Sequence, residues 1–438
     1  MTLASLRREG ADLDRLTLAD LNRAYRAAQA AGAGDEAGLA AAKASGAGPH
    51  RIIELSEQNA GAADVVDDAK RTLLKLQAGD PELLRDWQKL IDCTMQEVFA
   101  TARTLGVVLG PEHSRGESFY RDRLAGVVAA FLTSGLARED RGAIVVPFPD
   151  RERPLLIRKS DGGFLYATTD LAAVRFRVQE LKSDLVVYVV DVRQRDHFRD
   201  VFDAASLIGW DRLPDGTKAR LVHVGFGAVL GPDKRPLKTR SGENVTLKSL
   251  LDEAVERGIA EVTRRSAEPN APTHGLDAAR LAEIGAAVGI AAVKYADLSS
   301  EVTRDYVFDL DRMIAFEGDT GPYIQYAHAR IASMLAKAEV GPEASATFAV
   351  AEPEERALAL HLLRYGATVR ETAERLEPSR LCGYLFTLAN LFNAFYQACP
   401  VLKAEEPTRL ARLRLADLTR RVLADGLGLL GIAAPSRM

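Results

Sequence analysis

Residues Arg158–Phe198 read RKSDGGFLYATTDLAAVRFRVQELKSDLVVYVVDVRQRDHF, and the order of patterns within them decides the fold. Asp161-Gly162-Gly163 reads as a tight turn, TDLAAVRFRVQEL carries a helical apolar stripe, and DLVVYVV is a continuous apolar run of strand length. A run without alternation predicts a strand covered on both faces, and strand, helix, strand order predicts a parallel α/β sheet. Ligands of such sheets bind at the carboxyl ends of the strands. Tyr166 and Asp170 stand at one strand-to-helix junction, and Asp191 and Gln194 stand at the next. Thr169 or Asp170 is placed to begin the helix, so Asp170 reads either as an N-cap or as a ligand group. Gln194 offers an amide at the strand end. His197 reads as a general base, a phosphate contact or a packing residue near a helix start.

Outward from this stretch, AIVVPF and PLLIRKSDGGFLYA precede the strand and RLVHVGFGAVL follows it, with RDHFRDVFDAASLIGW as a further helix. The chain then reads HVGFGAVLGPDKRPLKTRSGENVTL over 223–247. Gly225 and Gly227 would let backbone approach a flat ligand such as adenine. Lys234, Arg235, Lys238, Thr239, Arg240 and Ser241 form a basic, hydroxyl-bearing loop suited to a leaving pyrophosphate, or else a solvated hairpin tip. A Walker loop is excluded, because G-x-x-x-x-G-K-[ST] is absent.

Before this region the chain reads as helix broken by loop, with Asp80-Pro81 a good helix start and the Ala/Gly-rich stretch 31–53 a flexible or weakly helical insertion. After Leu247 nearly every segment carries a helical stripe, and Gly321-Pro322 marks the entry to an all-α bundle. A chain of 438 residues predicts two or three domains. Residues 1–140 read as a mostly helical connective part, 141–320 as the α/β part and 321–438 as the bundle. A net charge of −4 gives no global nucleic-acid signal, although a local basic patch can still bind RNA. Cys93, Cys382 and Cys399 form no Cys-x-x-Cys pair, which argues against a structural zinc site and for a reducing cytoplasm. No apolar run of membrane-spanning length is present. Neither a membrane nor DNA is expected as a partner, and no bound metal is expected.

In order and spacing these pieces resemble arginyl-tRNA synthetase, a class I aminoacyl-tRNA synthetase. The resemblance is carried by RGESFYRDRL, by the opening stretch, by HVGFGAVLGPDKRPLKTRSG, by AVKYADLSSEVTRDYVFDLDRMIAFEGDTGPYIQYAHARI and by the C-terminal run beginning LFNAFYQACP. It covers roughly Asp67 to Met438. The resemblance implies an arginine–tRNA ligase that activates arginine with ATP and its Mg2+ and passes the arginyl group to tRNA(Arg). It implies that Tyr166, Asp170 and Gln194 line an arginine pocket. A carboxylate there can take a guanidinium through two parallel charge-assisted hydrogen bonds, which lysine or citrulline cannot satisfy. His223, Gly225, Phe226, Gly227, Lys234 and Lys238 are implied to bind ATP. PLKTRSG corresponds to the family's KMSKS signature, so Lys238, Thr239, Arg240 and Ser241 are implied to act in catalysis. Tyr323, Gln325, Tyr326 and Arg330 are implied to contact tRNA from an anticodon-binding bundle. For Tyr326 and Phe395, core packing is the competing role.

The family's HIGH tetrapeptide is absent; GPHR at His50 and PEHS at His113 are the nearest stretches. The expected fold is therefore α/β plus all-α: a partial Rossmann-type catalytic domain, the second half of a parallel sheet with helical insertions, followed by a helical anticodon-binding bundle. The expected protein is a truncated ligase that lacks the N-terminal domain and the HIGH-containing half. It would be unable to adenylate alone, with a separate chain supplying the missing half and an apolar sheet edge left exposed. The alternatives are a non-catalytic tRNA-binding or regulatory protein, or a paralogue using arginine or Arg-tRNA in another pathway.

Overall fold

Short polar caps set the helices at the start of the computed structural model, which describes residues 1–45, 47–231, 233–235, 245–338 and 350–438. The chain forms two compact units, Met1–Pro111 and Glu112–Met438. The first unit holds α1 (Thr2–Arg8), α2 (Leu18–Ala31), α3 (Glu36–Ala44), α4 (Pro49–Gln77) and α5 (Pro81–Thr104). Thr17 and Asp20 form a reciprocal capping box on α2, and the Asp80 carboxylate accepts from the N–H groups of Glu82 and Leu83 at 3.0 Å on α5. Much of the Ala/Gly-rich stretch is helical. Asp35 caps α3 through the Gly38 N–H at 2.8 Å, and α4 runs for 29 residues with Leu55 and Ala62 buried. Alanine's helix propensity outweighs the scattered glycines there.

In the second unit, α6 (Arg121–Thr133) precedes β1 (Arg138–Asp140), β2 (Ala143–Phe148) and β3 (Arg151–Arg158). These strands form an antiparallel sheet in the order β1-β2-β3. Two of the runs expected in a parallel sheet therefore lie outside it. The cause is the connection: only Pro149 and Asp150 separate the paired Phe148 and Arg151, and a two-residue turn can join antiparallel strands alone. Next come α7 (Tyr166–Arg175), continued by one wide turn Phe176–Glu180, then β4 (Leu185–Asp191), α8 (Arg195–Leu207) and β5 (Arg220–Phe226). β4 and β5 pair in parallel, from Leu185 opposite Arg220 to Asp191 opposite Phe226, with α8 as the crossover. Phe131, Ile157, Leu171, Val174 and Val201 are fully buried where α6, α7 and α8 meet these strands.

A short parallel pair, β6 (Val229–Leu230) with β7 (Tyr306–Val307), ties the end of β5 to the chain beyond α9 (Leu247–Ser266) and α10 (Ala278–Ser299). These two helices cross at backbone contact distance. A Cβ added at Gly289 would lie 2.2 Å from the Ala254 carbonyl oxygen, one at Gly258 would lie 2.2 Å from that of Gly285, and one at Gly285 would lie 2.4 Å from the Ile259 Cα. The one-turn α11 (Leu310–Met313) leads to the bundle of α12 (Gly321–Ala336), α13 (Pro353–Leu363), α14 (Tyr365–Arg375), α15 (Pro378–Ala398) and α16 (Thr408–Leu429). Its core includes Ile324, Ile331, Leu385, Phe392, Phe395 and Leu423.

A buried ion pair closes the bundle. Arg412 Nε donates to Glu355 Oε1 at 2.6 Å and Nη1 donates to the Pro400 carbonyl at 2.8 Å, while Glu355 Oε2 accepts from the N–H groups of Ala351 and Glu352. Burial pushes the Glu355 carboxyl up, but the Glu352 N–H, Arg412 and the Ala351 N–H outweigh it and hold it below its ordinary value. A carboxylate with a lowered folded-state value stabilises the fold above the unfolded carboxylate range, and that contribution is lost as pH falls through the lowered value. Arg412→Met leaves the Glu355 charge buried and unpaired. It is expected to destabilise the protein by about 3–5 kcal/mol in urea unfolding at neutral pH. The gap from the native protein should narrow in acid, where the orphaned carboxyl takes up a proton, and a constant gap would contradict this account.

Candidate active site

The local chain geometry places Asp170 differently from a capping residue. Gly162 takes φ +86°, Asp161 Oδ1 accepts from the Gly163 N–H at 2.9 Å, and the chain reverses into α7 with Leu165 as an extended N-cap. The helix therefore starts at Tyr166, and Asp170 lies one turn inside it with its carboxylate released from capping. The Thr168 hydroxyl donates to the Ile157 carbonyl and fastens α7 to β3. His197, in the first turn of α8, meets Asp170 across the gap between the two helices: Nε2 lies 2.7 Å from Oδ2. The Tyr166 ring stands edge-on to the imidazole, 5.0 Å between centroids, and is 66% exposed, so its face is open to a ligand. Gln194 is exposed at the end of the single turn Val192–Gln194 that precedes α8. The structure thus joins Tyr166 and Asp170 through His197. The sequence singled out His197 but had no means to pair it with Asp170, because they lie 27 positions apart with a strand between them.

β4 alternates in space although it does not in composition. Val186 and Tyr188 are buried against the helices, while Val187 and Val189 face the other way. Among the described residues the expected cover on both faces is absent. Val187, Val189, Val224, Phe226, Gly227 and Asp297 instead border a cavity of about 750 Å3. Two carboxylates at its margin have opposite surroundings. The Arg193 side chain, joined by the Arg193 N–H, brings the Asp191 carboxyl down to about 2. Burial raises that of Asp297 despite a hydrogen bond from Tyr306.

The glycines expected to admit a ligand admit the chain itself. A Cβ at Gly227 would lie 2.4 Å from the Arg304 carbonyl carbon, and one at Gly225 would lie 2.9 Å from the Val192 Cα. His223 is on the helix-covered face of β5, stacked on Phe198 at 5.2 Å, with Nε2 3.2 Å from the Val190 carbonyl oxygen. Phe226 and Gly227 border the cavity, whereas His223 and Gly225 do not. Lys234 is exposed with φ +57°, in a turn held by its N–H to the Gly231 carbonyl at 2.9 Å and by the Gly231 N–H to the Arg235 carbonyl at 2.7 Å. Lys238, Thr239, Arg240 and Ser241 lie outside the described residues.

On α12 the four implied RNA contacts separate. Gln325 is fully buried, its amide donating to the Ala433 carbonyl at 2.7 Å and to the Ala287 carbonyl at 3.3 Å, so it holds the C-terminal segment and offers no surface. The Tyr323 hydroxyl donates to Asn390 Oδ1 at 2.6 Å and accepts from Asn393 at 2.8 Å. Tyr326 and Arg330 border a pocket of about 200 Å3 with Tyr396, Lys337 and Met438, and the Arg330 guanidinium lies 4.5 Å over the Tyr396 ring. Phe395 is fully buried. His50 is the second residue of α4, and His113 ends a one-turn segment beside Glu112. Cys93, Cys382 and Cys399 are free, and burial pushes the Cys382 thiol up to about 12. Among the described residues no helix is long and apolar enough to cross a membrane.

Comparison with known proteins adds the family relation. The family model described as tRNA synthetases class I (R), catalytic domain, matches residues 1–310, and that of the DALR anticodon binding domain matches 324–438. The arginine–tRNA ligase of Frankia casuarinae is 46% identical over 384 residues, covering 85% of this chain and 62% of that protein. That of Thermobifida fusca is 47% identical over 383 residues, covering 86% and 64%. The chain thus spans less than two thirds of the length of these curated relatives. Among solved structures, the Thermus thermophilus arginyl-tRNA synthetase superposes with a TM-score of 0.73 at 26% identity, over 100% of this chain and 73% of that one. These matches correct the expectation of a truncated ligase. The catalytic-domain model is matched over residues 1–310, so residues 1–140 fall within that match. The partial fold class, the inability to adenylate alone, the separate supplying chain and the non-catalytic alternative rested on that expectation and are withdrawn with it.

Proposed function

The chain belongs to the class I (R) tRNA synthetases, and on that premise we propose that it is an arginine–tRNA ligase acting on arginine, ATP with its Mg2+, and tRNA(Arg). The observation that carries this reading is Asp170: a half-buried carboxylate held from behind by His197, with an exposed tyrosine ring beside it. A planar carboxylate accepts the two parallel N–H groups of a guanidinium, and the Tyr166 face can stack on the guanidinium plane. Gln194 adds an amide from the neighbouring junction. The nucleotide is assigned to the carboxyl end of β4 and β5, where Phe226 and the apolar cavity wall suit a purine and Lys234 begins the basic loop. Lys238, Thr239, Arg240 and Ser241 would stabilise the charge that develops on the departing pyrophosphate. Domain limits near residues 140 and 320 are part of the same proposal.

For tRNA, Tyr323, Tyr326 and Arg330 are proposed to meet unstacked anticodon bases, with Gln325 fixing their helix from inside. Aromatic and guanidinium planes beside a small pocket favour this assignment.

The test is arginine-dependent exchange of labelled pyrophosphate into ATP by the purified 438-residue chain, with tRNA(Arg) present. Exchange with arginine and none with lysine is expected. Exchange that is independent of arginine, or absent with all substrates supplied, would overturn the proposal.

A further inference from the structure

The function proposed above places Tyr166, Asp170 and Gln194 on the ligand and gives His197 no contact with it. Its setting is nevertheless restrictive. The imidazole is wedged between the Tyr166 ring, 5.0 Å away at 65°, and the Phe198 ring, 5.1 Å away at 73°, and its side chain is only 17% exposed. One ring nitrogen, Nε2, is 2.7 Å from Asp170 Oδ2. An ionised carboxylate can only accept, so Nε2 carries the proton in this contact.

A guanidinium needs both carboxylate oxygens in one plane and at one tilt. The terminal torsion of an aspartate is broad and close to two-fold, so an isolated Asp170 would sweep through tilts that offer the two oxygens poorly. Tying Oδ2 to a ring that is itself clamped removes that freedom, while each oxygen keeps a lone pair for the ligand. Lysine presents a rotatable point charge and gains little from such tilt control.

We propose that His197 is a positioning residue for arginine: it fixes the plane of the Asp170 carboxylate through Nε2 and so sets the preference for a guanidinium over an ammonium. The inference rests on the reading of Tyr166 and Asp170 as the arginine site. In this role His197 touches Asp170 and Tyr166, not the ligand, and transfers no proton.

Calorimetric titration of arginine and of lysine into the full chain separates the possibilities, using the native protein, His197→Ala, His197→Gln and Asp170→Asn. Arginine binding to the native chain that is abolished in Asp170→Asn establishes the site independently of His197. Positioning predicts that His197→Ala weakens arginine about tenfold, the scale of one lost hydrogen bond to a charged group, and narrows the preference over lysine. ATP binding and the melting temperature should hold steady. His197→Gln, whose amide can place a donor near the former Nε2, should recover most of the arginine affinity. Equal arginine affinity in the native chain and His197→Ala, or failure of glutamine to recover any loss, would overturn the positioning role alone. No arginine binding by the native chain would overturn both it and the proposed function.

Discussion

Asp170→Asn is expected to lower kcat/KM for arginine about a thousandfold in the exchange assay, corresponding to ~4 kcal/mol for a bidentate charge-assisted pair reduced to a neutral amide contact. Asparagine keeps the shape of the side chain and offers one oxygen, but it sets an NH2 against the guanidinium where an acceptor is required. The loss should appear with arginine and leave the affinity for ATP unchanged. Folding should be unaffected: Asp170 is partly exposed, its hydrogen bond goes to His197, and it is absent from the apolar core. An Asp170→Asn protein that melts normally and stays within threefold of native activity would remove Asp170 from the arginine site.

The second large effect is structural. Gly289→Val is expected to disrupt the α9–α10 crossing, with a cost beyond the usual overpacking range of about 1–3 kcal/mol. The obstruction is backbone: a Cβ there would lie 2.2 Å from the Ala254 carbonyl oxygen, 2.6 Å from its carbon and 2.8 Å from the Val255 nitrogen. No rotamer change relieves such a contact, so the helices must separate. Even Gly289→Ala should shift the urea midpoint down markedly. Gly383→Ala is the contrast, since nothing lies within 4 Å of an added Cβ on α15. There alanine should stabilise by about 0.5–1 kcal/mol through helix propensity. Similar midpoints for Gly289→Ala and Gly383→Ala would contradict the close crossing.

The sequence disclosed the elements better than their partners. The strand–helix–strand order around Asp170 was legible because apolar periodicity is local, as were the cap at Asp80 and the helix start at Gly321-Pro322. The antiparallel pairing of AIVVPF with RERPLLIR is not legible from apolar pattern alone, because only the two-residue Pro149-Asp150 connection distinguishes it from a parallel arrangement. The one-sided burial of DLVVYVV escaped because composition cannot tell a wall of a cavity from a packed face. At the site, the partner of Asp170 was hidden because it lies 27 positions further along the chain. The glycines of HVGFG were read for a ligand, although the nearest atoms belong to Val192 and Arg304. In the bundle, Gln325 was assigned from its place in the motif, while its burial against Ala287 and Ala433 depends on segments far along the chain.

The glycine-lined crossing has a mechanical meaning. Where side chains separate two packed helices, small sliding of one past the other can be accommodated by changes of rotamer. Between Ala254 and Gly258 on α9 and Gly285 and Gly289 on α10 that compliant layer is missing, and a Cβ at Gly321, at the head of α12, would likewise lie 2.5 Å from the Ala291 carbonyl oxygen of α10. Helices in contact through peptide groups behave as a single stiff rod. One end of that rod carries Asp297 at the cavity, and its flank seats the helix that bears Tyr326 and Arg330. A sideways shift of one of these helices therefore needs its neighbour to move with it, because no side chain stands between them to change rotamer.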